Sequence, residues 1–173
     1  MHLVLYAHAE RHIHQIGLMQ KDTVVIGLGN PLMADEGVGI EVLSRLAGRH
    51  DEFPDVEFVD GGTGGLSLVH KLSGRKRAFI IDCCLMGLPA GSIRVFTPDD
   101  VVSTKKLAHF SLHEADILHV INVARQLDDC PDLITICGIE PATIEQRESL
   151  STVLVERLDV YTEQVISLLR AKD

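Results

Sequence analysis

Tryptophan is absent from this chain, and aromatic residues of every kind make up only 4% of it. Aliphatic side chains must therefore fill the core. Hydrophobic residues occupy 46% of the 173 positions, enough for one substantial core and too many for a disordered chain. Cysteine is sparse: Cys83, Cys84, Cys130 and Cys137 are the full set, and no two have Cys-x-x-Cys spacing. That disfavours a zinc ribbon, a thioredoxin-like site and a secreted disulfide framework. No apolar run approaches the about 20 residues that cross a bilayer as a helix, so no membrane contact is expected, and a reducing cytoplasm is the expected compartment. Positive charge is also in deficit, with 16 Lys and Arg against 25 Asp and Glu and a formal net charge of −9. Broad electrostatic binding to nucleic acid or anionic lipid is disfavoured.

Two further motifs are missing from the first glycine-rich stretch, "VVIGLGNPLMADEGVGIEVL" at 24–43. After Gly27 and Gly29, the third position of a dinucleotide fingerprint is Leu32, and no Walker lysine follows. Instead the stretch places two acids, Asp35 and Glu36, at the start of a helical pattern. A phosphate-binding loop wants the opposite charge there. The acids point to a site for something positive.

The first 18 residues carry His2, His8, His12 and His14 without the basic start and long apolar centre of a signal peptide. Residues 1–20 are expected to be an amino-terminal extension, flexible or non-native, with Met19 a natural alternative start. Residues 21–173 are expected to form a single domain.

Within it, Thr23–Leu28 reads as a strand buried on both faces. Asp35 is a plausible N-cap for a helix reaching Ala47, with Val42, Leu43, Leu46 and Ala47 as its apolar stripe and Gly48 as its stop. Val56–Val59 reads as a second strand ending at Asp60, followed by "GGTGG" and a helix over Leu66–Leu72. Ala78–Ile81 is a third strand ending at Asp82. Ile93–Phe96 is a fourth, antiparallel to the third or at an edge, because the connection is short. A polar stretch covers Pro98 to Phe110. Ser111 and Glu114 have capping-box spacing ahead of a helix patterned by Ile117, Val120, Ile121 and Ala124. Leu133–Cys137 is the fifth strand, and Leu150–Leu169 the closing helix. The alternation predicts an α/β three-layer sandwich: a twisted, mostly parallel five-stranded sheet with helices on both faces.

In such sheets, sites lie outside the carboxyl ends of the strands. Glu36, Asp60, Asp82 and Glu140 all fall at that edge, and His113 begins the helix leading into the fifth strand. Glu36, Asp82 and His113 offer two oxygens and one imidazole nitrogen, a set suited to a borderline divalent metal such as nickel or zinc with positions left open. Taken singly, each has a plainer reading: Glu36 favouring a helix's positive end, Asp82 bonding a loop, His113 a satisfied core histidine. Asp60 is a further site acid or a turn-former. Cys83 and Cys84 read as buried structural thiols.

The blocks "GLGNPLMADEGVGIEV", "DGGTGG" at 60–65, "IIDCC" at 80–84, "SLHEADIL" at 111–118 and "GIEP" at 138–141 resemble, in order and separation, those of the hydrogenase maturation proteases. The resemblance covers Thr23 to about Leu169. It implies an aspartic-type endopeptidase that removes a carboxyl-terminal peptide from the precursor of a nickel–iron hydrogenase large subunit. It implies that nickel belongs to that precursor rather than to a tightly held enzyme cofactor, and that no organic cofactor is bound. It also implies that Glu36, Asp82 and His113 contact the metal and are candidate catalytic residues. Asp60 is the fourth candidate, an acid that supports these ligands from behind or orients substrate. A monomer meeting a larger partner is the expected state. The segment "QRESLST" departs from the family pattern, which leaves the conformation of that loop open.

Two other readings stand beside this one. "GLGNP" also resembles the start of peptidyl-tRNA hydrolases, but "LMADEGVG" follows where those enzymes carry a histidine, and the net charge suits tRNA poorly. The same three ligands would also serve a non-proteolytic, metal-binding chaperone of a metalloenzyme subunit.

Overall fold

The computed structural model describes residues 20–103 and 114–171. The expected amino-terminal extension, apart from Gln20, lies outside them, as do Ser111 and His113. The first strand, β1, is Thr23–Gly27. A short 3-10 helix, Ala34–Gly37, leads into α1, Val38–Ala47. Then come β2, Val56–Asp60, α2, Ser67–Leu72, and β3, Arg77–Cys83. They are followed by β4, Ile93–Phe96, α3, Pro98–Ser103, and α4, Glu114–Gln126. The chain closes with β5, Leu133–Ile139, α5, Thr152–Val155, and α6, Leu158–Arg170.

The five strands form one sheet in the order β2-β1-β3-β5-β4. All neighbours pair in parallel except β4, which runs antiparallel to β5 at the edge. Parallel strands need crossover helices, which cover both faces of the sheet. Alternation along each strand splits the core accordingly. Val25, Phe79 and Ile81 pack with Val42 and Leu46 of α1 and Tyr161 and Val165 of α6. Val24, Ile26, Ala78 and Ile80 pack with Leu68 and Leu72 of α2 and Ile117 and Ile121 of α4. This is the expected three-layer sandwich, with aliphatic residues supplying nearly all of both cores.

Four local differences have physical causes. The third strand is longer than its apolar run, so Asp82 lies inside β3, paired with Gly138 of β5, rather than just past its end. The fourth strand takes the edge but pairs with β5, not β3. The polar stretch after it begins with α3, and its remainder lies outside the described residues. The closing helix is two pieces, because Ser151 caps a separate short turn by accepting from the Leu154 amide. Tyr161 of α6, fully buried, donates its hydroxyl to the Gly91 carbonyl at 2.8 Å and ties that helix to the loop before β4.

Candidate active site

The carboxyl ends of β1, β2 and β3 are laced together by backbone hydrogen bonds. Leu28 donates to the Ile81 carbonyl at 2.8 Å, Gly29 to Gly62 at 2.8 Å, and Gly61 to Gly27 at 2.9 Å. At Gly29, φ is +139°, and a Cβ there would lie 1.9 Å from the Glu36 carbonyl oxygen. Only glycine lets the chain turn back so tightly. The turn delivers Ala34, in the left-handed region at φ +49°, and then Asp35 and Glu36 on the 3-10 helix.

Asp35 is not the N-cap its position suggested. The cap of α1 is Gly37, with no side-chain hydrogen bond. Asp35 is fully buried and acts as a staple between segments more than 100 residues apart. One carboxylate oxygen accepts from the amides of Ala142 at 2.8 Å and Thr143 at 3.1 Å, and the other from the Ser151 amide at 2.6 Å. The backbone adds to the clamp: Ala34 donates to the Arg147 carbonyl at 2.7 Å, and Arg147 to Leu32 at 3.0 Å. The "QRESLST" segment, whose conformation was open, is thus tied to the loop that carries Glu36. Nothing local in the sequence marks this role, because every acceptor–donor pair is remote.

Glu36 and Asp82 are both buried, at 7% and 0% exposure. Asp82 accepts from the Cys83 amide at 2.9 Å. Glu140, also buried, accepts from the amides of Met86 at 2.6 Å and Leu88 at 3.2 Å, and so holds the loop after β3. These carboxylates converge electrostatically on the Cys83 thiol. Burial pushes its pKa far up, and Asp82, Glu36, Asp35 and Glu140 push it further. Cys83 is therefore a neutral thiol, not a nucleophilic thiolate. Cys137 is pushed up to about 12 by burial alone. Cys83 and Cys84 are buried, as expected of structural thiols, and so is Cys137.

Asp60 sits apart. It is exposed, and its carboxylate accepts from the Gly62 amide at 2.7 Å, as a turn-former does. In register it pairs with Gly27, which pairs with Ile81, so it stands two strands, about 10 Å, from β3. The structure thus gathers Glu36 and Asp82 about one strand end and sets Asp60 to the side. His113, the nitrogen donor of the expected triad, lies outside the described residues, immediately before α4. Among the described residues no group of three or more His, Cys, Asp or Glu side chains is arranged to hold a metal. What they do provide is a pair of buried carboxylates at the sheet edge, in a locally negative field. Such a pair can ligate a cation or carry protons for hydrolysis.

A family model described as hydrogenase maturation protease matches residues 40–168, a span that includes Asp60, Asp82 and His113 and begins just past Glu36. The hydrogenase expression/formation protein HoxM of Cupriavidus necator is 32% identical over 148 residues, covering 85% of this chain and 73% of that one. The chain belongs to the hydrogenase maturation protease family. The hydrogenase 2 maturation protease of Escherichia coli is 28% identical over 148 residues, covering 85% of this chain and 90% of that one. Among solved structures, the hydrogenase maturating endopeptidase HybD from E. coli superposes with a TM-score of 0.73 at 25% identity, over 87% of this chain and 93% of that one. The maturation protease HycI from Thermococcus kodakarensis shares the fold, with a TM-score of 0.69 at 22% identity over 92% and 99% of the two chains. The family is one of proteases, which sets the buried carboxylate pair in the context of peptide hydrolysis.

Proposed function

We propose that this protein is the endopeptidase that removes a carboxyl-terminal peptide from the nickel-loaded precursor of a nickel–iron hydrogenase large subunit. The observation that carries this reading is the burial of Glu36 and Asp82 at one strand end, in a region that also buries the acids Asp35 and Glu140. Family membership supplies the reaction class. Nickel is part of the substrate. Glu36, Asp82 and His113 add ligands to a cation that arrives already bound in the precursor, and recognise it by doing so. A position left open beside them takes water or the scissile carbonyl, and a carboxylate accepts the proton that water loses. Asp60, on the rim of the site, orients the substrate chain. No organic cofactor takes part. The enzyme acts as a monomer in the cytoplasm, where the precursor is made; among the described residues no helix is long and apolar enough to cross a membrane.

The test is the mass of a cognate large-subunit precursor after incubation with this protein, with and without nickel loaded. Loss of a carboxyl-terminal peptide from the loaded precursor alone is the expected result. Glu36→Gln, Asp82→Asn and His113→Ala should each slow it by about 100-fold or more. Asp60→Asn should slow it less, and full activity in that variant rules out the orienting role. An unchanged mass of a verified, loaded, cognate precursor overturns the protease reading in favour of a binding role.

A further inference from the structure

Nine large apolar side chains are exposed among the described residues: Leu32, Leu66, Leu85, Leu88, Val95, Leu127, Val153, Val155 and Val160. Four of them stand on the loops that follow β1, β2 and β3, around the edge that holds Glu36 and Asp82. Of the others, Val95 lies on β4, Val153 and Val155 on α5 and Val160 on α6, while Leu127, in the turn between α4 and β5, is at the opposite edge. Single exposed apolar residues are ordinary on protein surfaces, but four leucines on three neighbouring loops of one sheet edge form a group.

The loops that carry the four are also tied down. The Asn30 side chain accepts from the Leu32 amide at 3.1 Å. Asp60 accepts from Gly62 at 2.7 Å, fixing the turn that leads to Leu66. Glu140 accepts from Met86 and Leu88, fixing the turn between Leu85 and Leu88. In the loops after β1 and β3 a side-chain oxygen holds the backbone at or next to the exposed leucine, and in the loop after β2 it holds the turn four residues before Leu66. The leucines are presented, not merely left out, and a partner would spend little ordering them.

We propose that Leu32, Leu66, Leu85 and Leu88 form an apolar docking rim around the carboxylate edge, on which a protein partner seats a cation-bearing centre flanked by apolar surface. Resting on the function proposed above, that partner is the metal-loaded precursor. Charge complementarity selects it: the enclosed edge gathers the buried acids Asp35, Glu36, Asp82 and Glu140 and the chain's formal net charge is −9, so a docked face with a positive centre and an apolar margin is the complement. The rim thus excludes water from the site and aligns the scissile segment, while the carboxylates read the cation.

The experiment measures binding of the full chain to the nickel-loaded precursor, beside processing by mass. Leu32→Asp and Leu66→Asp change side chains that are 56% and 62% exposed, and Leu127→Asp, at 62%, is the control. The added carboxylate separates two causes. If charge alone seats the partner, the rim variants bind as well or better; if the apolar rim seats it, they bind about tenfold or more weakly. The expected result is that weakening for both rim variants, no change for Leu127→Asp, and unchanged thermal unfolding for all three. Rim variants that bind like the unaltered chain overturn the proposal while leaving the protease reading intact. An equal loss for Leu127→Asp overturns the assignment to this edge. A concentration-dependent dimer abolished by Leu66→Asp gives the rim to a second copy and overturns it as well. An unaltered chain that neither binds nor processes the precursor instead defeats the function on which the proposal rests.

Discussion

At the scale of single residues, the buried acids divide into those that hold the structure and those proposed above to face chemistry, and Asp35 shows how neighbours in sequence differ in their contacts. Its two oxygens satisfy three backbone amides of the 142–151 segment. Removing them leaves part-buried donors without partners, each worth about 1–3 kcal/mol. Asp35→Ala should therefore destabilise the fold by about 2–4 kcal/mol in urea unfolding at pH 7. Asp35→Asn keeps one carbonyl oxygen and should cost about half as much. Both should also slow processing, since the stapled turn carries Glu36; a variant destabilised but fully active would show that Glu36 is held by other means. The sequence displayed the Asp-Glu doublet but not this division, because the partners of Asp35 lie a hundred residues away. Cys137 offers a second test. Burial raises its pKa from an ordinary 9.0 to about 12. Above pH 9 the unfolded chain loses the thiol proton while the folded chain keeps it, so stability present below pH 9 falls as pH rises towards 12. The slope is about 1.4 kcal/mol per pH unit for this group. Cys137→Ala should start less stable because of the cavity, yet lose stability more slowly between pH 9 and 11; equal slopes would show that the buried thiol is not the titrating group.

At the scale of elements, the site depends on how closely α1 approaches the sheet. Gly39 lies in its first turn, and a Cβ there would meet the Leu28 carbonyl oxygen at 2.2 Å and the Ile81 carbonyl oxygen at 2.4 Å. Both are backbone atoms at the ends of β1 and β3, so neither can rotate away. The helix itself must lift, and the turn bearing Glu36 lifts with it. Gly39→Ala gains helix propensity but should still destabilise by about 3 kcal/mol. It should also reduce processing more than an equally destabilising change at a remote core site, such as Val165→Ala in α6. Comparable activity loss in the two variants would mean that α1 placement is not critical for the carboxylates. Elements were the most legible level. Continuous β-branched and aliphatic runs marked the buried strands β1, β3 and β5, and the spacing of Ile117, Val120, Ile121 and Ala124 marked α4, where all four side chains are buried. What misled was polarity at element ends. Asp82 looked like the residue after a strand, yet backbone pairing with β5 carries β3 through it. The acidic start of α1 looked like capping, yet tertiary hydrogen bonds turned Asp35 elsewhere.

At the scale of the whole molecule, strand order was not legible, since periodicity carries no information on which strands become neighbours. Burial on both faces was, and it places β1 and β3 at the centre of the sheet, with β2 and β4 at its edges. Val24, Val25 and Ile26 of β1 are at 0% exposure, and Phe79, Ile80 and Ile81 of β3 at 2% or less. By contrast β2 is half-buried for most of its length and β4 is half-exposed. Native-state hydrogen exchange should therefore show a gradient across the sheet. Amides of Val24–Ile26 and Phe79–Ile81 should exchange only through global unfolding. Those of β4 that face away from β5 should exchange at least about 100-fold faster, through local opening. The loops of the carboxyl edge belong to this gradient in an unusual way. The Leu28 amide bonded to Ile81 and the Ser151 amide bonded to Asp35 should be protected nearly as well as the central strands, because opening either separates several segments at once. Fast exchange at both amides, in a chain whose central strands stay protected, would mean that the site-bearing edge opens independently of the core. Slow exchange would mean that Glu36 and Asp82 are positioned by the same cooperative unit that folds the sheet, so that a precursor meets a site already in place rather than one assembled on contact.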